Sequence, residues 1–451
     1  MTSNQLQHHQ PPPTPTYILR GHASPIHALH LFSQNLRLIS ADANGWIVVW
    51  DLVTKRPVTV WKAHEGAVLE VKGFVGSGTG TVVYTHGRDH KLRVWRFRVQ
   101  DEEILDKILP VDMDEASQVK GQSQSQPWLL HSLPVNALNF CAFSMLFIRK
   151  SANIEDGQES QQQQPEPDAA AENKPESPVL IAVPNALDSG AIDIFHLPLE
   201  RRICTIPADT TTKTGMVMAV KLFISATGEL YAASAYEDGH VIVFVRRGAF
   251  KEADLSSGAS WKWEKVYASR LHSQPVLSID VSPSMDYVLS SSADALLIKH
   301  PISRPGPLGT GYVEEKPLKT VNTKHAGQQG LRIRSDGKVF ATAGWDCRVR
   351  VYSCKTMKEL AVLKWHKEGC YAVGFAEIST DSSSSVSTDT NAGSSEKEDD
   401  SNQQQQQQQL TRREGDYSLA TVQHQRNQKA QKTHWLAAGS KDGKISLWDI
   451  Y

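Results

Sequence analysis

The chain has 451 residues with 48 basic and 49 acidic side chains, a formal net charge of -1, so bulk electrostatics offer no general attraction for nucleic acid. Five cysteines, Cys141, Cys204, Cys347, Cys354 and Cys370, form no C-x-x-C pair and no even-numbered framework, which fits free thiols in a reducing compartment and argues against zinc. The longest apolar run, residues 137–148, is shorter than the about 18 residues of a membrane helix, and the N-terminus lacks the basic-then-apolar order of a signal peptide, so a soluble intracellular protein is expected.

In chain order, residues 1–16, MTSNQLQHHQPPPTPT, read as a disordered leader. A strand-forming unit follows from about Tyr17 to Asp51 and a second from about Pro57 to Arg98. An acidic, then Gln/Ser-rich connector, residues 101–127, leads to a third unit that opens at His131. That unit is broken by residues 151–178, which include four glutamines from Gln161, and resumes at VLIAVPNALDSGAIDIF. Three further units occupy residues 201–351. A seventh opens at His366, departs through residues 378–432, where Gln403 to Gln409 are all glutamine, and re-enters at THWLAAGSKDGKISLWDIY. The three interrupting segments are too poor in apolar residues to order themselves and read as disordered insertions in one domain spanning 17–451.

The units are copies of one repeat. A polar residue stands six positions before the aromatic or histidine that ends an apolar strand: Asn44 and Trp50, Asp89 and Trp95, Ser189 and Phe195, Asp238 and Phe244, Asp294 and His300, Asp346 and Tyr352, Asp442 and Trp448. His22, His64, His131, His272, His325 and His366 open six units and Lys213 the fourth; HASPIHAL, HSLPVNAL and HSQPVLSI superimpose without a gap. Ser40, Thr85, Asn185, Ser234, Ser290, Thr342 and Ala438 stand ten residues before the terminal residue. Units of about 40 to 45 residues with a Gly-His start and a Trp-Asp end are the signature of four-stranded propeller blades. The predicted fold is an all-β, single seven-bladed WD-repeat β-propeller with disordered low-complexity insertions. The chain ends after a third-strand pattern, so Tyr17 to Leu19 is expected to complete the last blade beside Ile445 to Trp448 and leave no open edge.

The spacing answers a buried polar problem: turn Asp, opening His, hydroxyl and indole can satisfy one another, and an orphaned buried polar group costs about 1–3 kcal/mol. Only the second unit, with His64, Thr85, Asp89 and Trp95, carries the whole set; Ala438 cannot hydrogen-bond, and Phe244, Tyr352 and His300 replace the indole. Seven degenerate His, Ser/Thr and Asp copies are structural rather than catalytic, and no G-x-S-x-G, P-loop or H-E-x-x-H motif is present. No enzyme activity, cofactor or metal is expected.

YILRGHASPIHALHLFSQNLRLISADANGWIVVWDL, then AHEGAVLEVKGF and the terminal GSKDGKISLWDIY, closely resemble the fungal ASTRA-associated protein 1 family, whose animal relatives are described as G-protein beta-subunit-like. The resemblance covers Tyr17 to Tyr451 apart from the insertions. It implies a non-enzymatic interaction scaffold, one subunit of a nuclear assembly linked to chromatin remodelling, with a cytoplasmic pool also compatible. That assembly contains a phosphatidylinositol-3-kinase-like pseudokinase, AAA+ ATPases and the cochaperones that mature such kinases. Within it the chain would be one monomer of a hetero-complex, with no membrane and no direct nucleic-acid contact.

Three alternatives compete. Arg93, Arg96, Arg98, Arg246, Arg247, Arg332, Arg334, Arg348 and Arg350 would be the candidates of a nucleic-acid-binding propeller, although those on strands read better as solvated edges. A substrate receptor of a cullin ubiquitin ligase needs an Arg two residues after a terminal Trp-Asp, where this chain has Val53 and Tyr451. A true heterotrimeric G-protein beta subunit needs an N-terminal coiled-coil helix, which the Pro- and Gln-rich leader cannot form. For partner binding, the residues just before the turn aspartates, Arg88, Glu237, Trp345 and Lys441, are expected on the propeller's narrow face near its channel, with Trp46 beside the first turn as a second aromatic candidate.

Overall fold

Short runs of branched apolar and small residues, punctuated by tight turns such as Asn44-Gly45 and Asp442-Gly443, fold the described residues into 28 strands in seven four-stranded antiparallel sheets. The computed structural model describes residues 13–76, 80–113, 125–136, 141–148, 178–255, 261–303, 312–378 and 419–450. Sheets one to six are sequential meanders over residues 26–62, 68–134, 144–206, 217–270, 276–322 and 328–364. The seventh combines Cys370–Phe375, Trp435–Ser440 and Lys444–Asp449 with the N-terminal strand Tyr17–Arg20. The chain is a seven-bladed β-propeller. Its ring is closed by the pairs Tyr17 with Leu447, Ile18 with Ser446, Leu19 with Ile445 and Arg20 with Lys444.

The apolar core is divided among the blade interfaces. One buried cluster fills each junction: Trp46, Val48 and Trp50 meet Leu19 and Leu447 between blades seven and one, and Trp61 meets Trp95 between one and two. Strand alternation explains this, because successive side chains point to opposite faces and each blade has a neighbour on both. Two turn glycines are required by close approach: Gly45 and Gly443, both at positive φ, lie against the backbone carbonyls of His64 and His22, where any Cβ would clash.

Three connectors between third and outer strands reach back to cover the outer edge of the preceding blade. Val60 donates to the Asp106 carbonyl and Val111 to that of Gly21, with Leu105 buried beneath. Glu314 exchanges backbone bonds with Val266 and Ala268, and Arg201 donates to the Leu255 carbonyl. Such cover removes unpaired strand edges.

The first of these connectors lies in the 101–127 segment that composition alone assigned to a disordered insertion; residues 99–103 and 110–112 instead form short 3-10 turns, because Leu105, Leu109 and Met113 supply the apolar contacts that its acidic residues obscure. Likewise Leu419–Lys432, inside the 378–432 segment, is the one α-helix among the described residues, seated by Ala430 and by the Trp435 indole, which donates to the Ala430 carbonyl at 3.0 Å. Residues 1–12, 114–124, 151–177 and 379–418, on which the remaining leader and insertion expectations fall, lie outside the described residues.

Candidate interaction face and its polar supports

The second-to-third-strand turns converge on one face, held by a repeated backbone bond. Arg88 donates to the Ala67 carbonyl, Glu237 to Met216, Trp345 to Gly327 and Lys441 to Gly369, and Ala43 and Ala293 make the same bond to Pro25 and Pro275. The four sequence-chosen residues therefore occupy equivalent positions, and all four are exposed. Trp345 is 47% exposed, and its indole donates to Gln329 Oε1 at 2.7 Å. Trp46 does not join them: it is 6% exposed within the cluster between blades seven and one, because it begins the third strand rather than sitting on the turn. Its role is packing.

Below the turns lie the polar sets that fix them. In blade two, His64 Nδ1 is 2.8 Å from Asp89 Oδ1, His64 Nε2 is 2.8 Å from Thr85 Oγ1, and the Trp95 indole donates to Thr85 at 3.0 Å. Arg93 adds a 2.9 Å bond to Asp89. Burial alone would raise the Asp89 pKa, but His64 and Arg93 outweigh it and hold the carboxyl well below its ordinary range.

Three further blades carry complete sets by substitutions that the spacing concealed. In blade one the acceptor is Asp42, two residues before Asn44: His22 meets Asp42 at 2.8 Å and Ser40 at 2.7 Å, and Trp50 donates to Ser40. In blade five His300 replaces the indole and lengthens the chain, with Nε2 2.8 Å from Ser290 and Nδ1 2.8 Å from the Tyr267 hydroxyl. In blade seven Ser446, opposite Ala438, bonds His366 at 2.9 Å and accepts from Trp448 at 2.8 Å.

The other openings do not fall where the alignment put them. His131 lies within the outer strand of blade two, opposite Val94 and 2.7 Å from Glu200; the opening position is taken by buried Asn136, which donates to the Asn185 carbonyl, because Pro134 pairs with the start of the third strand just as Lys62 does before His64. Asn185 itself is a turn residue that donates to Asp193 and accepts from Leu187 and Asp188. Asp238 pairs with His240 at 2.7 Å while Lys213 is exposed. His325 is 3.8 Å from Asp346, whose close partner is Arg350 at 2.6 Å. Of the arginines weighed for nucleic acid, Arg93, Arg246, Arg247, Arg332, Arg334 and Arg350 are ion-paired to carboxylates.

A second exposed apolar area has no counterpart in the repeat. Trp128 is 73% exposed and Leu129 42% on the outer strand of blade two, and Ile104 and Ile108 of the connector are exposed as well.

Residues 15–448 match the family model described as ASTRA-associated protein 1. The chain belongs to the ASTRA-associated protein 1 family. It is 64% identical to the ASTRA-associated protein 1 of Aspergillus flavus over the whole of both chains, and 64% identical to that of Penicillium rubens over 98% of each. The family extends to Schizosaccharomyces pombe, whose member is 31% identical over 80% of this chain and 93% of its own length.

Proposed function

We propose that the protein is a non-catalytic scaffold subunit of the ASTRA complex, which presents its turn-bearing face to other subunits. Family membership across residues 15–448 carries the reading, since a fold of this kind hosts many functions and the site must be argued separately. The His, hydroxyl and Asp groupings serve as buried struts, a use that leaves no free nucleophile and base pair in them. Exposed Trp345, hydrogen-bonded to Gln329 beside the channel, has the character of an interface anchor: a large rigid aromatic with one polar contact. Through this face the protein would contact the kinase-like pseudokinase, the AAA+ ATPases or the cochaperones, and so take part in nuclear chromatin remodelling and in maturation of phosphatidylinositol-3-kinase-like kinases. The paired state of six candidate arginines weighs against nucleic acid as the ligand.

Affinity purification from nuclear extract with mass spectrometry tests both parts. The wild type should recover ASTRA subunits, and Trp345→Ala with Arg88→Glu should recover fewer while keeping its melting temperature. Recovery of ribonucleoproteins or cullins by the wild type would overturn the assignment; full recovery by the double variant would overturn only the face.

A further inference from the structure

The inner strands set a ring of polar and charged side chains at equivalent positions around the central channel. His30 Nδ1 accepts from the Gly73 amide at 3.0 Å, Ser144 Oγ from Leu222 at 2.8 Å and Asp280 Oδ2 from Ile333 at 2.8 Å, so side chains at this level stitch blade one to two, three to four and five to six. Lys72, Lys221 and Arg332 share the ring. Glu70, one step above, crosses from blade two to blade six, 2.7 Å from Arg332. Lys221 is 3.1 Å from Asp280, whereas Lys72 has only a 3.8 Å share of Glu70. Three cations thus face two carboxylates in a part-buried ring. Burial is also the main reason that Lys72 is drawn down to about 8, with Arg332 and Lys221 adding to it against Glu70 and Asp280.

Above this layer lies a cavity of about 80 Å³, to whose lining the small residues Ala28, Ala142, Ser278, Gly330 and Ala372 contribute. That volume holds two or three waters, or the end of one carboxylate side chain. Glu70 and Arg332 lie at its base, and His27, Gln329 and Tyr371 line it near the face that carries Trp345. Arg332 gives Nη2 to Glu70 and Nη1 to the Leu331 carbonyl, which leaves the rest of its five-donor fork.

We propose that the channel mouth is a receptor for an acidic side chain, Asp or Glu, borne by a partner protein segment, whose carboxylate meets Arg332 and offsets the excess charge set by Lys72. A basic side chain is disfavoured by the same excess, since like charges repel strongly in a partly desolvated site. The inference rests on reading this face as the docking surface, and it adds the chemistry of what docks.

Binding of N-acetyl Gly-Glu-Gly amide to the purified full chain, followed by saturation-transfer NMR at low ionic strength, tests it independently of any ASTRA subunit. The Glu peptide should bind and the Gln analogue should not. Lys72→Met, which balances the channel, should weaken binding at least about tenfold, and Glu70→Gln, which adds to the excess, should tighten it. Because the two variants move affinity in opposite directions, either one suffices if the other fails to fold. Equal binding of both peptides, or no response to either variant, would overturn the proposal. Inorganic phosphate that binds as well as the Glu peptide and displaces it would also overturn it, in favour of a free-anion site. Loss of acidic-peptide selectivity alongside intact dependence of ASTRA co-purification on Trp345 would sink this inference and leave the docking face standing.

Discussion

Ser446 stands directly across the last sheet from Ala438 and makes the bonds that Ala438 cannot, to His366 at 2.9 Å and from Trp448 at 2.8 Å. The hydroxyl has moved from the second strand to the third while its position in space has been kept. Ser446→Ala should therefore destabilise by about 1–3 kcal/mol by orphaning two buried groups. Ala438→Ser should have little effect alone and should recover part of the loss in the double variant. Urea denaturation of the three proteins decides it, and a neutral Ser446→Ala would mean that the blade-seven set carries no stability.

Acid should destabilise the protein before its carboxylates titrate. Burial lowers His86 and His300 to about 3, below the 6.5 of an exposed histidine, so the unfolded chain takes up protons that the folded chain refuses. Stability contributed by these groups is present above about pH 6.5 and declines as pH falls toward 3, at up to about 1.4 kcal/mol per pH unit for each. Asp89, Asp294 and Asp442, all held below 3.8, add their losses only below about pH 4. Denaturant midpoints should be nearly equal at pH 7.5 and 6.5 and fall at 5.5 and 4.5, and His300→Gln should make that fall shallower. A flat profile down to pH 4.5 would contradict the burial of these imidazoles.

Ring closure predicts a contrast within one strand. Leu19 is 1% exposed between blades seven and one, whereas Tyr17, two residues earlier, is 43% exposed. Leu19→Ala should cost about 2–5 kcal/mol, and Tyr17→Ala less than half as much. Equal thermal midpoints for the two variants would show that the N-terminal strand does not share the core of its blade.

Much of the fold was legible because each blade repeats one solution at one spacing. The closing strand followed from where Trp448 ends the chain's last pattern, and the turn positions of Arg88, Glu237, Trp345 and Lys441 followed from their aspartates. What misled was reading identity for geometry. HSLPVNAL aligns with HASPIHAL without a gap and shares its His, Pro, Ala and Leu, yet strand pairing puts His131 inside a strand and Asn136 at the opening. Asn44 fitted the six-residue interval, but Asp42 can reach His22 because a carboxylate at the strand's end serves as well as one on the turn. The channel charges left no trace in the repeat at all, since Glu70, Lys72, Lys221, Asp280 and Arg332 differ from blade to blade and meet only when the ring closes.

Asn35 shows how a long interruption can be tolerated in blade seven. Its side chain donates to the carbonyls of Glu377 at 2.8 Å and Gln431 at 3.1 Å and accepts from the Glu377 amide at 2.8 Å. One buried amide on the first blade thus ties the chain on both sides of residues 379–418. Asn35 holds Glu377 and the far end of the helix, and the rise from Gln431 back to Leu419 is about 18 Å, so a Gly-Ser linker of about ten residues can rejoin the chain, and each halving of a loop changes closure by only about 0.6 kcal/mol. That deletion should leave the melting temperature nearly unchanged. Asn35→Ala should not be so mild, since it breaks three bonds and forces a Cβ-bearing residue without a compensating amide into φ +65. Asn35→Gly separates the two effects, because it relieves the backbone and still lacks the bonds. The expected order of stability is wild type, then Asn35→Gly, then Asn35→Ala, with the first step about 1–3 kcal/mol for the lost bonds. If Asn35→Gly matches the wild type, the amide is no clamp and the insertion is held elsewhere. A large fall in melting temperature on deleting residues 379–418 would instead show that the segment itself stabilises the propeller.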